Sequence, residues 1–348
     1  MGVGGLQAID WAAILEHLLA GRDLDEDAAA GVLGRMITGD VDPAVVAGVL
    51  VALRAKGESA TEIAGFVRAM TDAATPVAVA GPLLDTCGTG GDGSGTFNIS
   101  TVSAVVAAAA GVRVAKHGNR SASGQCGSAD LLEAWGVVID LTAEGVATTI
   151  EELGIGFLFA RTFHPAMRHV APVRATLGIR TVFNVLGPLC NPAGATHQVV
   201  GVADRALAPR MAQALFHLGR ERALVFRGAD GLDELTTTGT SEVWEVDGDG
   251  VRTWVLDPAT LGLAAASPAD LIGGGVDRNR RIADEVLAGT AGPRLDVVAL
   301  NAGAALWTAG AVDDLAAGIE RARGVLASGA AAELRDRWVA RSRQLAQT

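Results

Sequence analysis

Asp85-Thr86-Cys87-Gly88-Thr89-Gly90-Gly91-Asp92-Gly93-Ser94-Gly95-Thr96-Phe97-Asn98-Ile99-Ser100-Thr101 is the densest signal in the chain. The apolar run 83–87 reads as a buried strand and 100–110 as a helix, so the glycines carry the chain from a strand directly into a helix N-terminus. Free backbone N–H groups and the helix dipole at such a point attract a phosphate or diphosphate. Alone, the stretch could also be an ordinary glycine turn. It is not a Walker loop, because no Gly-Lys-Ser/Thr follows, and its glycine spacing differs from the dinucleotide fingerprint.

Outward from this loop, short apolar runs alternate with helical segments. Strands are expected at 112–115, 137–141, 155–159, 181–186, 197–202 and 223–226, with a helix at 128–135. Strand–helix alternation argues for an α/β domain whose central sheet is mostly parallel and covered on both faces. Ligands of such sheets bind beyond the carboxyl ends of the strands, where the glycine clusters fall. Ala264-Ala265-Ala266 reads as a tight turn or a helix segment.

The first 75 residues carry helical periodicity instead. Trp11, Ile14, Leu15, Leu18 and Leu19 line one helix face. Asp42-Pro43 opens a second helix that runs from Val45 through Leu53 to Gly57, and Ser59 or Thr61 caps a third through Met70. The expected division is a helical domain over 1–75 and a larger α/β domain over 76–348.

With 348 residues, 49% hydrophobic and 19% charged, the chain has enough material for a sizeable core and is not a disordered polymer. The 45 glycines fall in clusters without a period, which excludes collagen and flexible linkers. A net charge of −11 with no long basic run argues against a nucleic-acid surface. Three scattered cysteines argue against a disulfide framework or a zinc site. With no apolar stretch of membrane-spanning length and no signal-like start, a soluble cytoplasmic protein is expected. Among 28 lysines and arginines only Lys56 and Lys116 are lysines, which marks two places for a compact ammonium.

Two further motifs carry chemistry. Lys116-His117-Gly118-Asn119-Arg120-Ser121 sets a group of donors on the loop after the next strand. Gly231-Leu232-Asp233-Glu234-Leu235 follows the strand at 223–226 and offers two adjacent carboxylates, the hard oxygen ligands that Mg²⁺ prefers. Each motif alone could be a solvated turn; beside a phosphate cradle they become a site.

Taken in order, these motifs with Asn98 to Thr101, Ser128-Ala129-Asp130, Arg174, Asn184 to Pro192, Leu53-Arg54-Ala55-Lys56-Gly57 and Asn301 to Leu306 resemble the anthranilate phosphoribosyltransferase family. The resemblance spans nearly the whole chain. It implies a small N-terminal helical domain beside a larger α/β domain of the nucleoside phosphorylase/phosphoribosyltransferase type. A segment near 165–185 would return to the helical part, and homodimers would form through that part. The implied reaction moves phosphoribosyl from phosphoribosyl pyrophosphate (PRPP) to the amine of anthranilate with Mg²⁺, two ions, as cofactor.

Carried over residue by residue, Gly88, Gly91, Asp92, Thr96, Asn98, Ile99, Ser100, Thr101, Lys116, His117, Gly118, Asn119, Arg120 and Ser128 would bind PRPP. Gly88, Asn119, His164, Arg174 and Pro188 would receive anthranilate, with Arg174 pairing its carboxylate, and Ser100, Asp233 and Glu234 would hold metal. No acid or base is assigned, and His117 is expected to steer or bind. The chain departs from the family at Arg161-Thr162 before His164-Pro165, at Cys126 and at Trp135, which leaves a substituted anthranilate open as acceptor. A pyrimidine nucleoside phosphorylase, whose loop carries lysine after Gly-Asp, and a nucleic-acid-binding relative, which needs a basic face, are the rivals. Cys126 and Cys190 flank the expected ligand loops, so alkylation blocked by PRPP with Mg²⁺ is expected.

Overall fold

Four side chains set the starts of the N-terminal helices. In the computed structural model, which describes residues 9–121 and 125–347, Asp10 accepts from Ala13 N at 3.0 Å, and Asp25 and Asp42 accept from Ala28 N and Ala44 N at 2.8 Å. Ser59 and Glu62 close a reciprocal capping box. The helices that follow are α1 (Trp11–Leu19), α2 (Glu26–Met36), α3 (Pro43–Lys56) and α4 (Ala60–Asp72). The sequence reading has no α2, because Ala28-Ala29-Ala30-Gly31 gives its face little apolar contrast.

Lys56 finds its reason here. Its ammonium donates to Asp23 Oδ1 at 2.5 Å, Glu62 Oε2 at 2.8 Å and the Gly57 carbonyl at 2.9 Å, three directions that a planar guanidinium does not offer. Glu62, fully buried, also accepts from Leu24 N at 3.1 Å and Ser59 N at 2.8 Å, which ties the α1–α2 connection to the start of α4.

The sheet comprises β1 (Leu84–Gly88), β2 (Val114–Gly118), β3 (Ile155–Phe159), β4 (His197–Gly201), β5 (Arg222–Gly228), β6 (Ser241–Asp247) and β7 (Gly250–Leu256). Its order is β3-β2-β1-β4-β5-β6-β7, parallel as far as β5 and antiparallel beyond. The helices of the α/β part are α5 (Ile99–Ala109), α6 (Ser128–Trp135), α7 (Ala143–Leu153), α8 (Ala160–Phe163), α9 (Ala171–Leu177), α10 (Phe183–Leu186), α11 (Ala208–His217), α12 (Pro268–Leu271), α13 (Val276–Leu287), α14 (Pro293–Thr308), α15 (Leu315–Ser328) and α16 (Ala330–Leu345).

Strand alternation divides the apolar residues between two cores. Val199, Leu224 and Phe226 pack with α5 and α14, whereas Val200, Ala223 and Val225 pack with α11 and with Leu50 and Phe66 of the helical bundle. Val170, Val173, Val182 and Phe183 join the second core, so the segment after β3 packs against the bundle.

The strands expected at 137–141 and 181–186 are absent. Val137 N bonds to Leu132 O and Val138 N to the Ser342 hydroxyl, so the first run lies under α16 as irregular chain. In the second, Asn184 Oδ1 accepts from Thr181 N and opens α10. An apolar run of that length does not distinguish a buried strand from a buried helical turn. Residues 264–266 are irregular, neither turn nor helix. The hairpin of β6 and β7 was not anticipated, although Asp247-Gly248 marks its turn.

Replacing Glu62 by alanine takes from Lys56 its buried counter-charge and from Leu24 and Ser59 the acceptor of their backbone N–H groups, and lowers the unfolding free energy by about 3–5 kcal/mol in denaturant titration. A loss below about 1 kcal/mol would show that the network contributes little.

Candidate active site

β1 and β4 end side by side at Gly88 and Gly201. The loop after β5 crosses these ends so closely that a Cβ on Gly201 would lie 1.6 Å from the Asp233 carbonyl oxygen, and one on Gly88 would lie 2.3 Å from Asp233 Oδ2. Beyond Gly88, Gly90, Gly91, Gly93 and Gly95 all take positive φ, between 65° and 76°, so the loop winds through conformations that other residues adopt only under strain.

Gly90 N donates to Asp233 Oδ2 at 2.6 Å, and Ser100 N, in the first turn of α5, donates to Glu234 Oε1 at 3.0 Å. Asn98, the residue before α5, supplies no side-chain cap to the helix. The anion donors foreseen at the glycine loop and helix start thus exist, and each holds one of the protein's own carboxylates.

The electrostatics are strained. Burial pushes both carboxyls up; the charge of Asp92 adds to the effect at Asp233, and that of Asp233 adds at Glu234, while Lys116 opposes it there. Lys116 is 2% exposed and donates to Thr86 O at 2.6 Å. Burial lowers its pKa and the carboxylate of Asp85 works to raise it. Asp85, wholly buried in β1, is pushed up to about 6 by desolvation. It accepts from His117 N at 3.0 Å and from Asn191 Nδ2 at 2.8 Å. A buried line of alternating charge, Asp85, Lys116, Glu234, therefore runs beneath the loop.

Asp233 and Glu234 meet the chemistry of a hard cation: buried oxygen donors in mutual repulsion, with Asp92 nearby and Ser100 adjacent. Among the described residues, no group of three or more His, Cys, Asp and Glu forms a complete metal-ligand set. Mg²⁺ takes one or two carboxylates and fills its octahedron with waters and phosphate oxygens, so a pair such as Asp233 and Glu234 is a fitting donor set for it.

Two histidines lie beside the loop. His117 Nδ1 is 2.9 Å from Gly187 O and His164 Nε2 is 3.1 Å from Cys190 O, with ring centroids 5.0 Å apart. Burial, then the neighbouring His164, pulls His117 down to about 3, and burial lowers His164 as well. Both rings are neutral near pH 7. A carbonyl accepts only from a protonated nitrogen, so His117 Nε2 is left as a buried lone pair without a partner among the described residues, while His164 has the Met70 carbonyl as a second backbone neighbour. Arg174 lies over the Phe183 ring at 5.3 Å; burial alone lowers its pKa, with no acidic group compensating. It is a half-buried guanidinium in want of a carboxylate.

The remaining anticipated residues divide. Gly118 makes room at the end of β2, where a Cβ would lie 2.3 Å from Ser128 Oγ, and Ser128 Oγ donates to Asn119 O at 3.1 Å. Asn119 Oδ1 accepts from Arg120 N at 2.8 Å. Pro188 gives its carbonyl to Gln198 Nε2 at 2.9 Å. Gly91 belongs to the loop, and Thr96 pairs with Ile272. Ile99 and Thr101 are buried in α5. The Arg120 guanidinium turns away to Asp130 at 3.0 Å and Glu133 at 2.7 Å. The Asn98 amide is committed to Cys126 O at 3.0 Å and Asn279 at 2.9 Å. Asp85, Arg180, Asn191 and Asn279 also shape the site and were given no role in the sequence reading. Asp85 and Asn191 stood inside stretches that the sequence marks out, Asp85 as a carboxylate inside an apolar strand; Arg180 and Asn279 stood outside them.

The cysteines correct one expectation. Cys190 is 1% exposed, its thiol 3.9 Å from Val67 O and pushed up to about 12 by burial. Cys126 is half-buried, donates to Asn98 Oδ1 at 3.4 Å and is pushed up to about 11. Neither is an accessible thiolate. Iodoacetamide near neutral pH should leave Cys190 unlabelled in the native protein with or without ligand, by mass spectrometry, and label half-buried Cys126 only slowly; rapid native labelling of Cys190 would contradict its burial.

Comparison with known proteins follows this geometry. Residues 12–74 match the glycosyl transferase family helical bundle domain, and residues 80–332 match the glycosyl transferase family a/b domain. An anthranilate phosphoribosyltransferase of Rubrobacter xylanophilus is 51% identical over 333 residues, covering 95% of this chain and 97% of the relative. The crystal structure of anthranilate phosphoribosyltransferase from Thermus thermophilus superposes with a TM-score of 0.90 at 51% identity, over 95% of this chain and 99% of that one. The Saccharomyces cerevisiae enzyme in complex with PRPP and Mg gives a TM-score of 0.88 at 27% identity, over 97% and 99% of the two chains.

Proposed function

The chain belongs to the anthranilate phosphoribosyltransferase family, and from that premise we propose how its residues transfer phosphoribosyl from PRPP to the amine of anthranilate, with release of pyrophosphate. The observation that carries the reading is the pair of donors, Gly90 N and Ser100 N, held by Asp233 and Glu234. On binding, the diphosphate takes these N–H groups and the carboxylates turn to Mg²⁺.

Two Mg²⁺ ions, held by Asp233 and Glu234 with Ser100, would neutralise charge on the diphosphate. Gly88, Gly91, Asp92 and the first turn of α5 cradle its oxygens. Lys116, with two donors free beyond Thr86 O, adds positive charge close by. Asn119 and Ser128 serve the ribose phosphate side. Arg174 pairs with the anthranilate carboxylate. The bare Nε2 of His117 accepts a hydrogen of the aromatic amine and helps aim its lone pair at C1, with His164 beside it. As the C1–O bond breaks, its electron pair passes to pyrophosphate; the amine lone pair forms C1–N on the opposite face, and the nitrogen then sheds a proton. An aromatic amine needs no strong base for that last step.

Residues 1–75, with the segment near 165–185, form the helical unit in this reading, and residues 76–348 form the α/β unit. Leu19 and Val51, 69% and 43% exposed on α1 and α3, support a homodimer through the helical face. A cytoplasmic site of action accords with three free cysteines, and no helix of the described residues is long and apolar enough to cross a membrane.

Mixing the protein with PRPP, Mg²⁺ and anthranilate should quench anthranilate fluorescence only when all are present; no quenching would refute the assignment. Arg174→Gln should raise the KM for anthranilate about 10- to 100-fold with the KM for PRPP unchanged; an unchanged anthranilate KM would remove Arg174 from the acceptor site. The double change Asp233→Asn with Glu234→Gln should abolish Mg²⁺-dependent turnover while the fold persists by circular dichroism. Wild-type turnover at limiting Mg²⁺ would refute the metal assignment.

The raised carboxyls set a pH signature. They bind protons in the folded protein at a pH where the unfolded chain has lost them, so metal-free stability falls as pH rises from about 5 to 8. Affinity for Mg²⁺ with pyrophosphate rises over the same interval, with proton release. Calorimetry in two buffers of different ionisation enthalpy measures both; pH-independent affinity would contradict the buried acidic pair.

A further inference from the structure

Arg180 lies in the turn between α9 and α10, outside every motif that pointed to the site. Its Nη1 stands 3.5 Å from Gly90 O, and a Cβ on Gly91 would fall 2.0 Å from the same nitrogen. The guanidinium therefore rests on the bare Cα of the glycine loop. That long contact is its one hydrogen bond among the described residues, so nearly all of its donors are uncommitted. The same peptide region gives its Gly90 N–H to Asp233 at 2.6 Å, so Arg180 stands where the loop meets the acidic pair.

The residues flanking Arg180 add a second observation. Val173, Val182 and Phe183 are buried in one core with Leu50, Leu53 and Phe66 of the helical bundle. Arg180 is thus carried by chain anchored to the bundle and reaches across to a loop of the sheet domain. The site's buried lysine, Lys116, already faces Asp85 and Glu234. Arg180 is left as the cation that touches the glycine loop, next to the peptide whose N–H holds Asp233.

Building on the function proposed above, we propose that Arg180 binds the pyrophosphate group of PRPP and stabilises it as it departs. As C1–O breaks, the bonding pair localises on the pyrophosphate oxygen, while C1–N forms from the amine lone pair and one proton leaves the nitrogen. Arg180 gives up no proton; its planar fork donates hydrogen bonds to oxygens whose charge is growing, which favours the transition state over bound PRPP. A lysine at this place would supply charge without the fork.

The test is calorimetric titration of the full-length protein, wild type, Arg180→Gln and Arg180→Lys, with pyrophosphate and separately with ribose 5-phosphate, both in Mg²⁺. Arg180→Gln should weaken pyrophosphate binding about 10- to 100-fold and lower kcat similarly, with ribose 5-phosphate affinity and the anthranilate KM within about twofold. Arg180→Lys should recover part of the pyrophosphate affinity. Unchanged pyrophosphate binding in Arg180→Gln, or equal loss of both ligands, would overturn the proposal and leave the reading of the site standing. Failure of the wild type to bind either ligand would overturn that reading, and the role of Arg180 with it.

Discussion

The hydrogen bonds from Gly90 N to Asp233 and from Ser100 N to Glu234 join two separate stretches of chain above the ends of β1 and β4. Much of the neighbouring sequence follows from making room for them. Gly201 and Gly88 are bare because the Asp233 backbone and carboxylate fill the space where their Cβ atoms would stand. The loop beyond needs glycine because it turns repeatedly through positive φ to present its amides. Ser100 N is open to a carboxylate because Asn98 spends its amide on Cys126 and Asn279 instead of capping α5.

Such a pair is costly to bury. Desolvation raises both carboxyls, and their repulsion adds to it. The fold offsets part of this with Lys116 and anchors Lys116 in turn with Asp85, itself held by His117 N and Asn191. The arrangement contributes little to stability. It makes sense as a site kept ready for cations and phosphate oxygens, in which the protein's own carboxylates temporarily satisfy the donors. The acceptor side shows the same unmet valence in the opposite sense: the neutral imidazole lone pair of His117 and a guanidinium without a carboxylate.

Legibility in the sequence tracked locality. The glycine loop, the caps Asp42 and Ser59 and the parallel strands were readable because their signals lie within a few residues. The run at 137–141 was misread because a tertiary partner, the Ser342 hydroxyl, takes part of its backbone hydrogen bonding, and the run at 181–186 because the Asn184 amide folds back onto Thr181 N and opens a helical turn, which apolar character alone does not reveal. Motif order brought Lys116, Asp233 and Glu234 into view. Asn279 and Arg180 matter through contacts with residues about 90 or more positions away, and nothing in their own neighbourhoods announces this; Asn191 stood in a marked stretch, but its bond to Asp85 is just as remote. The accessibility expected for Cys190 failed for the same reason, since the helical bundle covers it.

The central claim is an exchange of partners: carboxylates hold the loop amides until a metal-bound diphosphate takes their place. A crystal structure of this protein with PRPP and Mg²⁺ tests it directly. The account predicts Gly90 N and Ser100 N within hydrogen-bond distance of phosphate oxygens, with Asp233 and Glu234 turned to the metal. Carboxylates still bonded to those two amides beside a bound PRPP would contradict it.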